Sequence, residues 1–183
     1  MGLTLAEVNA LDLEEFVTRL GALYEHSPWV AREAWLVRPF ASWLTLHEAM
    51  QCAVLASPQA TQLGLVRKHP ELLGRLAAAE LTEASRGEQA SAGLDRCTPD
   101  QRARMQSLNA AYRERFGFPF VVAVRGLNWQ GIIDRLDARL ANEADVELRT
   151  ALAEIGRIAG FRLADLAATD AGPFVRRAGA RAP

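Results

Sequence analysis

Cysteine is scarce in this chain of 183 residues, in which only Cys52 and Cys97 occur. The two lie far apart in the sequence and form no CxxC pair, so the sequence predicts neither a zinc knuckle nor a disulfide framework. Cys52 directly precedes an apolar run, Ala53–Leu55. We therefore expect two buried free thiols in a reducing compartment.

An excess of charge of one sign is also missing, since 21 basic and 22 acidic residues give a formal net charge of −1. The chain therefore has no basic field that would attract nucleic acid or an anionic membrane surface. No apolar run reaches the length of a membrane span, and the start, "MGLTLAEVNALDLEEF", lacks the cationic region of a secretory signal. We expect a soluble, cytoplasmic protein with no nucleic-acid or membrane partner.

Several motifs of metal and cofactor sites are absent as well. The sequence contains no GxGxxG, no phosphate-cradling loop and no Ser-centred nucleophile elbow. The segment "HEAMQ" at 47–51 begins like a metalloprotease helix, but Gln51 stands where that motif needs a second histidine. The sequence therefore predicts no metal site and implies no cofactor.

Signals for helix starts, in contrast, recur along the chain. A hydroxyl residue precedes proline at Ser27–Pro28, Ser57–Pro58 and Thr98–Pro99. This pair is typical of an N-cap followed by the first helical residue, where proline's missing N–H costs nothing. Gln101 completes a capping box with Thr98.

The fold class follows from the number of these helices. Asp12 is a further N-cap candidate. The pattern predicts helices near 12–25, 28–38, 40–56, 58–68, 70–79, 82–93, 98–116, 128–141 and 144–168. Because the loops between them are short, neighbouring helices should pack antiparallel. We predict an all-α fold, a single compact bundle of about nine helices, forming one domain over 1–183 with its core at about 5–168 and a basic tail at 169–183.

One segment departs from the helical pattern. "FGFPFVVAVRGLN", 116–128, is bounded by Gly and Pro and contains a β-branched run. No second convincing strand exists to pair with it, so we interpret 117–127 as an extended connector along a helical core. Its unpaired N–H and C=O groups would be free to hold a polar ligand.

His69 is one of three histidines and stands directly before Pro70. A residue before proline is disfavoured in the α region, so the helix 58–68 must end at about His69. The negative end of a helix dipole favours an imidazolium, and a histidine at a loop is suited to proton transfer. A helix-capping histidine without chemical duty explains the same position, and from position alone it is the simpler interpretation.

A second candidate cluster lies in "LTEASRGEQASAGL". With Thr82 as N-cap, Ser85, Glu88 and Gln89 fall at i, i+3 and i+4 and share one helix face. A carboxylate flanked by a hydroxyl and an amide could act as an acid or base with two neutral hydrogen-bonding groups beside it. A polar face in water accounts for the pattern equally well.

Arg162 is the third candidate, because it interrupts an apolar stripe on the last helix. The other members of the stripe are Leu148, Leu152, Ile155, Ala159 and Leu166. A buried guanidinium is costly without an anion, which could come from the protein, for example Glu88, or from a ligand. Arginine is also the preferred residue for bidentate recognition of a carboxylate.

Five blocks of the sequence, in order, together resemble the family of 2-oxo-4-hydroxy-4-carboxy-5-ureidoimidazoline (OHCU) decarboxylases of uric acid breakdown. They are "YEHSPWVAREAW", "KHPELLGRL", "LTEASRGEQASAGL", "LNAAYRERFGFPFVVAVRG" and "EIGRIAGFRLADL". The resemblance runs from about Leu5 to Leu166. It implies an all-α homodimeric carbon–carbon lyase that needs no cofactor and converts the ureidoimidazoline into (S)-allantoin and carbon dioxide.

The resemblance also implies roles for particular residues. The family's catalytic residues fall on His69 and Glu88. Its substrate-binding residues fall on Pro70, Ser85, Gln89, Phe120, Val121, Val122, Ala123, Val124 and Arg162. Two alternatives stay open: a non-catalytic helical binding module, and a decarboxylase of a related cyclic ureide.

Overall fold

The computed structural model describes residues 2–73 and 82–167, without the side chains of Glu83 and Ser91. In this part of the chain the regular structure consists of nine α-helices and two 3₁₀ turns, Gly21–Leu23 and Leu94–Arg96. The α-helices are α1 (Leu5–Ala10), α2 (Leu13–Leu20), α3 (Trp29–Trp35), α4 (Trp43–Ala56), α5 (Gln59–Arg67), α6 (Glu83–Ser91), α7 (Pro99–Phe116), α8 (Trp129–Arg139) and α9 (Ala144–Leu166). The predicted all-α class is confirmed.

Three of the predicted N-caps, Asp12, Thr82 and Thr98, are confirmed and two are wrong. The side chain of Asp12 accepts from the Glu15 N–H, and Thr98 forms the capping box with Gln101. Ser27 does not cap α3, which begins at Trp29 with Pro28 as N-cap and no side-chain cap bond. Ser57 instead ends α4, where its hydroxyl donates to the Val54 carbonyl at 2.7 Å.

Other differences lie at the ends of the helices. Sequence reasoning missed α1, although Thr4 and Glu7 form a capping box whose spacing is readable in "TLAE". The helix expected at 70–79 is not helical over 70–73, and its remainder lies outside the described residues, as does the tail 169–183. None of the described helices combines the length and the apolar content that a bilayer span requires.

The chain groups into two compact units, and the boundary near residue 155 falls inside α9. Unit 1 comprises Met1–Pro58 and Gly156–Pro183. Its two chain segments meet at the ends, since the Leu3 N–H donates to the Leu166 carbonyl at 2.9 Å. The expectation of a single domain over 1–183 stays a prediction.

In unit 1, α3 packs against both α2 and α4. The buried residues of this unit include Val8, Phe16, Leu20, Val30, Leu46 and Met50. The C-terminal half of α9 comes close to α4, where His47 Nε2 lies 2.8 Å from the Gly156 carbonyl. A Cβ added at Gly156 would lie 1.6 Å from the Gln51 amide nitrogen, so the glycine leaves the space that this side chain fills. His47 and Gln51 of "HEAMQ" thus contact α9 in unit 1.

Unit 2 comprises Gln59–Ile155 and is built around aromatic rings at the end of α7. The ring of Tyr112 lies 4.7, 6.0 and 5.3 Å from those of Phe116, Phe118 and Phe120, measured between centroids. Tyr112 and Phe120 are completely buried. The connector therefore begins in the core of unit 2.

The expectation of two buried thiols is wrong, since Cys52 is exposed and Cys97 only half-buried. Helix α4 buries Trp43, Leu46, Met50 and Val54. At about 100° per residue, Cys52 lies roughly 200° around the helix from Met50 and so faces away from that core. Apolar neighbours in sequence do not place a helical residue inside.

We expect neither of the two tyrosines to ionise in the native protein at pH 10, the ordinary pKa of a phenol being about 10. Burial raises the pKa of Tyr24, and burial together with the hydrogen bond to Glu147 raises that of Tyr112. Because both folded-state pKa values are raised, this contribution to stability is complete below about pH 10 and is lost as the pH rises further. Absorbance of tyrosinate near 295 nm should therefore appear together with unfolding, followed by circular dichroism. A native-state titration with its midpoint near pH 10 would contradict this.

Candidate functional site

His69 lies where the sequence placed it, just beyond the end of a helix. Helix α5 ends at Arg67, and the His69 N–H still donates to the Val66 carbonyl at 3.1 Å. His69 and Pro70 are both half-buried, so the imidazole is held by the protein without being sealed from solvent. That position is compatible with proton transfer, and the catalytic role stays a prediction.

The segment that follows His69 is fixed by contacts to α6 and α7. The Leu73 N–H faces Gln89 Oε1 at 3.5 Å, and Asn109 Nδ2 donates to the Leu72 carbonyl at 2.7 Å. Leu73 has a φ of 52°, in the left-handed region that a branched side chain rarely adopts. The two contacts, together with the strained conformation of Leu73, therefore fix the path of the backbone after His69.

Helix α6 presents Ser85, Glu88 and Gln89 on one face, as predicted. Thr82 caps the helix by accepting from the Ser85 N–H at 3.2 Å. Ser85 is buried, whereas Glu88 and Gln89 are half-buried. Because Gln89 contacts the segment after His69, unit 2 brings this polar face next to the loop that carries the histidine.

More backbone groups of the connector are hydrogen-bonded than the sequence suggested. Residues Phe120–Val124 are buried and form neither helix nor strand. The Val121 carbonyl accepts from Arg139 Nη1 at 2.6 Å, and the Ala123 N–H donates to Glu154 Oε2 at 2.7 Å. The expectation of unpaired backbone groups is thus wrong at these two residues, because long charged side chains from α8 and α9 reach them.

Val122 differs from both of its neighbours. Within residues 2–73 and 82–167 neither its N–H nor its C=O has a hydrogen-bonding partner, although its exposed fraction is only 3%. Buried backbone groups are rarely left in this state in native proteins, and a bound ligand is one way to satisfy them. The expectation of a ligand-binding backbone therefore stays open at Val122.

A buried polar network beside the connector escaped sequence reasoning. The Arg139 Nε donates to Glu147 Oε1 at 2.8 Å, Tyr112 donates its hydroxyl to the same carboxylate, and Asn142 Nδ2 donates to Glu147 Oε2 at 2.7 Å. Glu147 is completely buried, which only a paired and hydrogen-bonded carboxylate tolerates. Its position in the first turn of α9 resembles that of an ordinary dipole-stabilising acid, so the sequence gave no signal of this role.

Arg162 is buried, as its place in the apolar stripe predicted, and belongs to unit 1. Its Nη2 lies 3.2 Å from Glu25 Oε2, and the two residues are 7% and 5% exposed. The protein anion is therefore Glu25, rather than the Glu88 considered from sequence. The other predicted site residues belong to unit 2, and the convergence of Arg162 with them stays a prediction.

Glu25 was not recognised from sequence, because a single acid before a Ser-Pro pair has no periodic signature. It lies in a turn in which the Ser27 N–H donates to the Tyr24 carbonyl at 2.9 Å. His26, between them, has a φ of 56°. In this turn the side chains of Tyr24, Glu25 and Ser27 are all buried while His26 is exposed.

Taken together, the described part of unit 2 offers an imidazole, a carboxylate, an amide and a buried backbone segment. No cluster of three or more His, Cys, Asp or Glu side chains among the described residues is placed to hold a metal ion. The groups present are those of proton transfer and of hydrogen bonding to a polar ligand.

The chain matches a family model, known protein sequences and a solved structure over most of its length. A family model described as OHCU decarboxylase matches residues 9–164. The chain is 47% identical to the 2-oxo-4-hydroxy-4-carboxy-5-ureidoimidazoline decarboxylase of Haloferax volcanii over 89% of this chain and 95% of that protein. It is 43% identical to the protein of the same name from Halalkalicoccus jeotgali, over 90% of this chain and 92% of that one. The crystal structure of an (S)-allantoin synthase superposes with a TM-score of 0.75 at 27% identity, over 91% of this chain, which spans 54% of that structure.

Proposed function

Because the chain belongs to the OHCU decarboxylase family, we propose that it decarboxylates 2-oxo-4-hydroxy-4-carboxy-5-ureidoimidazoline to (S)-allantoin and carbon dioxide in uric acid degradation. The observation that carries the proposal is the match over residues 9–164, which spans all the polar groups described above. The local geometry adds support, since the segment after His69 and the helix that carries Glu88 are in contact within unit 2.

The substrate supplies its own electron sink, so the proposed reaction needs no cofactor. The carbon that bears the carboxylate and the hydroxyl lies next to a ring C=N bond. When the bond to the carboxylate breaks, its electron pair forms a C=C bond, and the former C=N pair moves to nitrogen, which takes up a proton. Carbon dioxide leaves, and an enol remains in the ring. The work of the protein is therefore orientation and proton transfer.

We assign the proton transfers to His69 and Glu88. The enol becomes allantoin when its hydroxyl loses a proton and the ureido-bearing carbon gains one. His69 delivers the proton to one face of that carbon, which produces a single enantiomer. Glu88 hydrogen-bonds the substrate hydroxyl. Both side chains are half-buried, which allows contact with a ligand while protons exchange with solvent.

Several neutral groups and one cation orient the substrate. The buried connector segment Phe120–Val124 lies along the ureido group and ring, and the Val122 N–H and C=O form hydrogen bonds with them. Pro70, Ser85 and Gln89 line the same region of unit 2. Arg162 anchors the anionic end of the substrate, a task for which its planar guanidinium is suited.

The family relationship also motivates proposals about the domain organisation, assembly and location of the protein. We propose that it forms a single domain over 1–183, assembles as a homodimer and works in the cytoplasm. Formal net charge near zero offers no attraction to nucleic acid or membrane, so apart from a second copy of the chain the partner that we propose is the small ureidoimidazoline.

The proposal is tested by following the optical activity of allantoin. Urate is converted by uricase and hydroxyisourate hydrolase, with and without this protein, and circular dichroism follows the product. We expect fast formation of the (S) enantiomer only when the protein is present. Unchanged slow formation of racemic allantoin would favour a non-catalytic binding module, and conversion of another cyclic ureide in its place would favour the related decarboxylase.

A further inference from the structure

Two oppositely charged side chains hold the connector on either side of Val122. Arg139 at the end of α8 donates to the Val121 carbonyl, and Glu154 of α9 accepts from the Ala123 N–H. At 2.6 and 2.7 Å both are short, charge-assisted hydrogen bonds, the stronger kind in proteins. We propose that Arg139 and Glu154, together named the connector clamp, are positioning residues that hold the Val122 peptide groups toward the substrate; this rests on the proposed function.

The arrangement of backbone groups explains why the clamp acts on Val122. Along an extended backbone, the polar groups of residues i and i+2 point to one edge and those of residue i+1 to the other. The clamp occupies the edge shared by Val121 and Ala123. Val122, whose two groups have no partner among the described residues, is then presented on the opposite edge. In a regular sheet a neighbouring strand would hold the first edge; here two side chains do so.

Arg139 is itself held rigidly. Its guanidinium lies 4.7 Å from the centroid of the Phe120 ring and pairs with the fully buried Glu147. Glu147 in turn accepts hydrogen bonds from Tyr112 and Asn142. Residues whose rotamers are fixed by such contacts position a binding group more closely than a mobile side chain could.

Glu154 is the better place to test the clamp, because it is half-buried, whereas Arg139 is buried and pairs with the fully buried Glu147. Glu154→Ala removes the acceptor for Ala123, whereas Glu154→Gln keeps an oxygen in the same place. Glu114→Ala, at an exposed carboxylate of α7, serves as the matched control. Loss of a hydrogen bond to a charged group should raise KM about tenfold or more in Glu154→Ala and leave kcat within about twofold. The Gln variant and the control should stay near the wild-type KM.

Amide hydrogen exchange gives a second readout that does not depend on activity. Exchange of the Ala123 N–H should accelerate in Glu154→Ala and recover in Glu154→Gln, while amides of α7 keep their protection. An unchanged KM in Glu154→Ala, or an equal rise of KM in both Glu154 variants, would overturn the clamp. These comparisons of KM require that the wild-type protein is active. An inactive wild type would instead refute the proposed function.

Discussion

Replacement of His69 by alanine should leave a folded protein that no longer accelerates formation of optically active allantoin. The loss should reach roughly 10²–10⁴-fold in kcat/KM, the usual effect of removing a general acid or base. The fold should survive because His69 is half-buried and lies beyond the end of α5, outside the packed core. The measurement is the circular dichroism of allantoin made from freshly generated substrate.

Two further variants make this result specific. Lys68→Ala changes the exposed neighbour at the same helix end and should keep full activity. Glu88→Gln preserves the size of the side chain, removes its charge and should also lose activity by orders of magnitude. If His69→Ala and Glu88→Gln both kept wild-type rates, the proton-transfer roles proposed for them would be wrong.

The parts of this fold that sequence predicted well are those decided by local chemistry. Asp12 and Thr98 mark helix starts because a side-chain oxygen satisfies a nearby N–H, an interaction that spans three residues. The end of α5 before Pro70 follows from the backbone restriction that proline imposes on His69. The shared face of Ser85, Glu88 and Gln89 likewise follows from the period of the helix alone.

The parts that sequence missed depend on residues far apart in the chain. Glu25 meets Arg162 across 137 positions, and Glu154 reaches Ala123 across 31. A single acid has no periodicity, so nothing local indicates its partner. The connector shows the same limit: its β-branched run correctly argued against a helix, but the side chains that occupy its backbone lie on α8 and α9.

The role proposed for Arg162 can be separated from its structural role, because its carboxylate partner is known. Glu25→Leu leaves a buried guanidinium without that carboxylate and should cost about 3–5 kcal/mol of unfolding free energy. The pair Glu25→Leu and Arg162→Met replaces both charges with apolar groups and should regain most of that stability. Denaturant unfolding of the two single variants and the double variant measures these differences.

Activity of the double variant then decides between the two roles. If Arg162 anchors the anionic end of the substrate, the double variant should be folded yet lose at least about a hundredfold in kcat/KM, since a bidentate arginine is not replaced by methionine. Arg149→Met, at an exposed arginine of the same helix, should keep both stability and activity. A stable double variant with wild-type kcat/KM would show that Arg162 serves only to pair with Glu25. Burial of a cation in an apolar stripe would then reflect packing of the α2–α3 turn against α9, with no part in substrate recognition.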